Sequence, residues 1–135
     1  MSIKVAPVGH SRILSVGTYR PKRQVPNSEI VDRIDSTDEW IVQRTGIESR
    51  RFAGDDETVI SMAKAACEMA LKRAKLTIAD IDTVILSTIS YPFQAPSAAT
   101  ELINELGNPK AAAFDISAAC AGFCYGVAMG LSLIH

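Results

Sequence analysis

The chain has 135 residues, enough for one ordinary domain that buries about two thirds of its unfolded surface. Hydrophobic residues make up 47% and charged residues 21%, the composition of a folded globular chain rather than a disordered one. A net charge of −1 and a pI near 6.1 argue against a nucleic-acid binder that works by neutralising phosphates.

Charge is unevenly spread. Residues 1–51 hold nine Lys/Arg against six Asp/Glu, and the remainder holds five against nine, so the front end suits a small anionic ligand. Lys4, Arg12, Arg20, Lys22 and Arg23 interrupt residues 1–25, and no signal peptide is expected there. The three cysteines, Cys67, Cys120 and Cys124, are an odd number without a zinc-type C-x-x-C pair. The expected compartment is the reduced cytoplasm, and no metal is expected at Cys120 and Cys124, which lack further ligands nearby.

In chain order, "RILSVGTYRP" (12–21) reads as a short strand ending in a turn at Pro21. "VPNSEIVDRI" (25–34) reads as a short helix with Asn27 as N-cap. In "DSTDEWIVQRTGI", Ser36 and Glu39 have capping-box spacing, which predicts a helical turn carrying Trp40 and Arg44. The clearest helix is 57–75: Lys64, Glu68 and Lys72 share a solvated face, opposite a stripe of Ile60, Ala63, Cys67, Ala70, Leu71 and Ala74. "DTVILSTIS" (82–90) and "KAAAFDIS" (110–117) read as strands buried on both faces of a parallel sheet. Between them, 97–107 reads as a helix closed by Gly107. Strands alternating with helices make the fold class α/β.

The last segment, 118–134, reads as a helix without a charge, and Gly122, Gly126 and Gly130 recur along it every four residues. Apolar on every side, it must be buried on every side, which one small sheet cannot do. The chain is therefore expected to be half of a larger layered fold or to lean on a partner, ending at His135 as if within a helix. Residues 116–134, nineteen without a charge and with G-x-x-x-G spacing, also fit a dimerising membrane helix. Against that, the segment lacks basic flanks and follows a strand that needs it for packing.

Ser117 is a natural N-cap, which would place Cys120 in the first helical turn, where unpaired N–H groups favour a thiolate. Alanine at 118, 119 and 121, with Gly122, leaves room for a bulky thioester. Read from the residues alone, Cys120 is as well explained as a small core residue paired on one face with Cys124. Trp40 and Arg44, four apart, could stack an adenine and hold phosphates, or be an edge tryptophan beside a salt-bridging arginine.

"DISAACAGFCYG" resembles the nucleophile motif of the β-ketoacyl-[acyl-carrier-protein] synthase III family, which has the thiolase fold. "DEWIVQRTGIESRRFA" (38–53) and "QAPSAAT" (94–100) resemble two further stretches of that family, in the same order. The resemblance implies a thiolase-like α-β-α-β-α layered fold, of which this chain supplies the first βαβαβ-type half as one domain, 1–135. It implies that Cys120 is the acyl-accepting nucleophile, its backbone N–H helping to hold the oxyanion. It also implies that Trp40 and Arg44 contact coenzyme A, with Ser36 and Thr45 as neighbouring contacts. Arg50 and Arg51 read as merely capping and solvating the segment.

By the same resemblance, Ala95, the residue before Pro96, helps set the depth of the acyl pocket. Alanine there leaves room for a primer longer or more branched than acetyl. The implied reaction joins an acyl-CoA to malonyl-acyl-carrier protein, with acyl-CoA as substrate and no cofactor. The implied assembly is a homodimer with strand 110–117 near its two-fold, with no nucleic acid or membrane as partner. The family's catalytic histidine and asparagine belong to its second half, and His10 and His135 match neither. The alternative is a non-catalytic half that binds coenzyme A, or a complementary half, without completing condensation.

Overall fold

The structure, a computed structural model, describes residues 10–134. His135, at which the sequence reading places the chain's end, lies outside them. The element order is β1 (Arg23–Pro26), α1 (Asp38–Thr45), β2 (Ser49–Phe52), α2 (Val59–Ala74), β3 (Thr83–Ser87), α3 (Ala98–Leu106), β4 (Ala112–Ile116) and α4 (Gly122–Ile134). β1 and β2 form an antiparallel pair, Arg23 opposite Phe52 and Pro26 opposite Ser49. β3 and β4 form a parallel pair, Thr83 opposite Ala112 and Ser87 opposite Ile116. A parallel pair needs a crossover, and α3 is that crossover.

Side chains alternate across the parallel pair and so sort the helices into layers. Val84 and Leu86 pack against a core of Ile60, Ala98 and Leu102 from α2 and α3. Ile85 and Ser87 face the other way, towards Gly122, Gly126 and Gly130 of α4. The result is helix–sheet–helix, the layering expected for α/β. Leu102 is fully buried, which stabilises the fold by roughly 1.5–3 kcal/mol.

The long helices form where the residue pattern puts them. Thr58 caps α2 in a reciprocal box with Ser61, the two side-chain-to-backbone bonds being 3.1 and 2.9 Å. Ser97 caps α3, and Gly107 ends it with φ +90°.

Several expectations are corrected. Residues 12–21 are not a strand. They run extended along α2, where Ser15 Oγ donates to the Ala70 carbonyl (2.7 Å) and Arg73 Nη1 donates to that of Val16 (2.6 Å). A strand-like pattern without a strand beside it makes no ladder. Residues 25–34 are the end of β1 and two 3₁₀ turns, not a helix, and Asn27 lies inside the first turn rather than capping it. The cap of α1 is Thr37, whose Oγ1 accepts from Trp40 N (3.2 Å), and not Ser36. Ser117 caps nothing. A 3₁₀ turn, Ala119–Ala121, precedes α4 without a side-chain cap.

The strands 82–90 and 110–117 are shorter than expected and half-buried. α4 is not enclosed: Phe123, Leu133 and Ile134 are among its exposed residues. No helix among the described residues is long and apolar enough to cross a membrane.

Glu57 is the polar anchor of the front end. Only 7% exposed, it accepts from the Tyr19 hydroxyl, Gly54 N (2.9 Å) and Lys22 N (3.0 Å). The Tyr19 hydroxyl first, then the Gly54 N–H, holds this carboxyl below the usual range. A carboxyl whose pKa is lowered on folding adds stability above its unfolded value, and that stability is lost as pH falls through the folded value. The urea midpoint is expected to fall between about pH 5 and pH 3. Glu57→Gln should flatten that slope, leaving the part due to Asp56 and Asp80, whose pKa values are also lowered.

Gly17 marks a close approach of backbones. A Cβ there would lie 1.9 Å from the Ala66 carbonyl oxygen and 2.6 Å from Ala70 N. Gly17→Ala is expected to cost about 2–4 kcal/mol, read from urea unfolding, because the strand-like segment must lift off α2.

Candidate functional site

β4 ends at Ile116, and within five residues the chain has turned back to begin α4. That reversal is tight. Ala119 takes φ +43°, a left-handed conformation that costs a non-glycine residue about 1–3 kcal/mol. Cys120 follows it, in the 3₁₀ turn rather than in the first turn of the helix, and is exposed. A strained strand-to-helix turn that exposes a nucleophilic side chain is a recurring catalytic device.

Cys120 lines an open groove with Ile85 and Ser87 of β3, Ala119, and Gly122, Phe123, Gly126 and Val127 of α4. Gly122 suits this packing: a Cβ there would lie 1.7 Å from Ser87 Oγ and force that hydroxyl to turn away. The glycine lets the start of α4 sit against β3 and so fixes where the turn points. Cys124 is also exposed, on the first turn of α4. Cys67 is half-buried on α2, and burial pushes its thiol pKa up, which makes it a poor nucleophile.

Trp40 and Arg44 lie on α1 as the spacing requires. The Arg44 guanidinium carbon is 5.8 Å from the indole centroid, and Trp40 is 54% exposed. The pair is a stacked cation–aromatic surface open to solvent. Thr45 is engaged locally: Oγ1 donates to the Ile41 carbonyl (2.7 Å) and accepts from Ile47 N (3.0 Å). One acceptor position remains on that hydroxyl. The Ser36 hydroxyl oxygen is buried without a partner among the described residues. Ala95 lies in the loop between β3 and α3, directly before Pro96. The structure thus brings Ser36, Trp40, Arg44 and Thr45 together on and beside α1. The groove of Cys120 is lined by β3, the turn and α4.

Two polar groups escape the sequence reading. Asp115, in the apolar strand β4, accepts from Ala98 N (2.8 Å) and Ala99 N (2.7 Å), capping α3 from the strand that leads to Cys120. A lone charge in an apolar strand was the available signal, since such a charge must be paired. Arg50 does not merely solvate the segment. Its Nη2 donates to Asn27 Oδ1, while Arg51 Nη1 donates to the Lys22 carbonyl (2.7 Å).

No protein-family model matches the chain. A β-ketoacyl-[acyl-carrier-protein] synthase III of Kocuria rhizophila is 49% identical over 129 residues, covering 96% of this chain and 36% of the relative. A mycobacterial β-ketoacyl-[acyl-carrier-protein] synthase III of Mycobacterium tuberculosis is 51% identical over 123 residues, covering 91% of this chain and 37% of the relative. Among solved structures, the priming β-ketosynthase of the R1128 polyketide pathway superposes with a TM-score of 0.88 at 44% identity. That match covers 98% of this chain and 40% of the other. The 3-oxoacyl-[acyl-carrier-protein] synthase III of Aquifex aeolicus gives 0.85 at 39% identity, covering 90% and 39%. The chain spans a little over a third of the length of the curated relatives it matches. Over nearly its whole length, therefore, the chain is similar to part of the β-ketoacyl-[acyl-carrier-protein] synthase III family, and its α/β layers are those of that family's thiolase-like fold.

Proposed function

We propose that the chain is the nucleophile-bearing part of an acyltransferase that initiates type II fatty-acid synthesis. The observation that carries the proposal is Cys120, exposed on a strained turn at the end of β4 and facing an open groove. Its thiolate attacks the carbonyl carbon of an acyl-CoA, and the backbone N–H of Cys120 helps to hold the oxyanion. The carbon–sulfur bond to coenzyme A breaks, the coenzyme leaves as its thiolate and takes a proton from solvent, and the acyl group stays on Cys120. Malonyl-acyl-carrier protein then loses carbon dioxide, and the resulting carbanion equivalent attacks the acyl group. The Cys120 thiolate is released together with a β-ketoacyl product.

Trp40 and Arg44 are the proposed coenzyme A contacts, the indole for the adenine and the guanidinium for phosphate, with Ser36 and Thr45 beside them. The open, already stacked geometry of the pair supports this reading. Acyl-CoA is a substrate, and the reaction needs no cofactor. The family's histidine and asparagine, which stabilise the decarboxylation, have no counterpart in the matched motifs. The chain is proposed to work within a longer enzyme, as its share of its relatives' length supports. A homodimer with β4 near the two-fold is the proposed assembly, as the family resemblance implies. The proposed location is the cytoplasm.

The same share of length favours a second reading, in which this stretch is a non-catalytic half that binds coenzyme A, or a complementary half, without completing condensation.

Intact mass of the complete enzyme after incubation with short acyl-CoAs is expected to rise by one acyl group, and Cys120→Ser should abolish the gain. Acylation persisting in the serine variant would overturn the assignment.

Ala95 is proposed to leave the acyl pocket deep. Profiling acyl-CoA chain length on the complete enzyme should show activity on primers longer or more branched than acetyl. Ala95→Phe should lower kcat/KM for those primers by about 10- to 100-fold relative to acetyl-CoA. A strict acetyl preference in the unaltered enzyme would refute the proposal.

A further inference from the structure

α1 is a helix that apolar packing alone does not hold in place. It has eight residues, Ile41 is its only buried one, and its two functional side chains face solvent. A helix this short is marginal on its own, and burial has no directional preference to set its rotation. Its placement instead converges on one amide. Asn27, directly after β1, is 1% exposed. Its Nδ2 donates to Asp38 Oδ1, at the first residue of α1, and to the Ile47 carbonyl just beyond the last (2.8 Å). Its Oδ1 accepts from Arg50 of β2, and its backbone N–H donates to the Glu48 carbonyl (3.1 Å). Both amide hydrogens and the acceptor are in use, tying the two ends of α1 to the two strands of the hairpin.

We propose that Asn27, held by Arg50, is a positioning residue that sets the Trp40–Arg44 surface for the nucleotide end of an acyl-CoA substrate. The inference rests on the reading of α1 as the coenzyme A contact. Trp40 lies two residues after Asp38, and Arg44 three before Ile47, so any shift of either anchor moves both. Displacing a binding group by about 1 Å is enough to cost it most of its effect.

The test uses the complete enzyme and two thioesters of the same acyl group, one on coenzyme A and one on pantetheine, which lacks the nucleotide. In Asn27→Ser, the kcat/KM for acyl-CoA relative to acyl-pantetheine is expected to fall about tenfold, through KM rather than kcat. Arg50→Met, which removes one bond from the hub and leaves the amide in place, should move the ratio in the same direction. It carries the test if Asn27→Ser does not fold.

A ratio unchanged from the unaltered enzyme in the folded variants, including one where both thioesters slow equally, would overturn the inference and leave Asn27 a stabilising residue only. Trp40→Ala separates the two levels. If it lowers the ratio while the Asn27 and Arg50 variants do not, the positioning role alone fails. If it leaves the ratio unchanged, the coenzyme A reading fails and the positioning role with it.

Discussion

The parallel pair β3–β4 is the frame from which the candidate site hangs. Alternation along β3 sends Val84 and Leu86 into the core of α2 and α3, and sends Ile85 and Ser87 against α4. The same two strands therefore hold the core and seat the helix that follows Cys120. The contact between Ser87 and Gly122 is so close that a methyl group would displace the Ser87 hydroxyl. With β4 paired to β3 on one side of the turn and α4 seated against β3 on the other, the intervening residues have little freedom. Ala119 takes a left-handed conformation as a result.

Orientation in the rest of the chain comes from polar groups that each gather several hydrogen-bond partners. Glu57 collects the Tyr19 hydroxyl and two backbone N–H groups, and so ties the extended front segment to the start of α2. Asn27 ties α1 to the hairpin. Asp115 ties the start of α3 to β4. Burial of apolar surface favours compactness without fixing angles, whereas satisfied polar networks specify one arrangement, since misalignment leaves groups unpaired. The two elements that carry the proposed substrate contacts, α1 and the loop before α3, both end at such a group.

α4 shows the opposite case. Gly126 and Gly130 let it lie on Ile85, yet the helix leaves Phe123, at 75% exposure, with Leu131, Leu133 and Ile134 open to solvent. No charge along the helix favours solvent over cover. Apolar periodicity on every side correctly marks a helix that seeks burial, but it does not say which surface supplies it.

Elements with strong local signals are legible from the residues alone. The helices at 57–75 and 97–107 form close to their expected bounds, because a 3.6-residue apolar stripe and caps such as Ser97 and Gly107 act within a few residues of themselves. The parallel strands, their α/β class, the Trp40–Arg44 pairing on one helix face and the singular setting of Cys120 were legible for the same reason. Folding in three dimensions settles which of two neighbouring hydroxyls, Ser36 or Thr37, caps α1, and makes Asn27 a hub rather than a cap. It alone denied 12–21 a place as a strand and put Cys120 in a strained turn ahead of α4. The last three of these depend on a partner brought from a distance in sequence: α2 for the front segment, Arg50 for Asn27, and Ser87 for the start of α4. Local pattern carries no record of such partners, because a side chain's propensity is set by its neighbours along the chain and its final bonds by its neighbours in space.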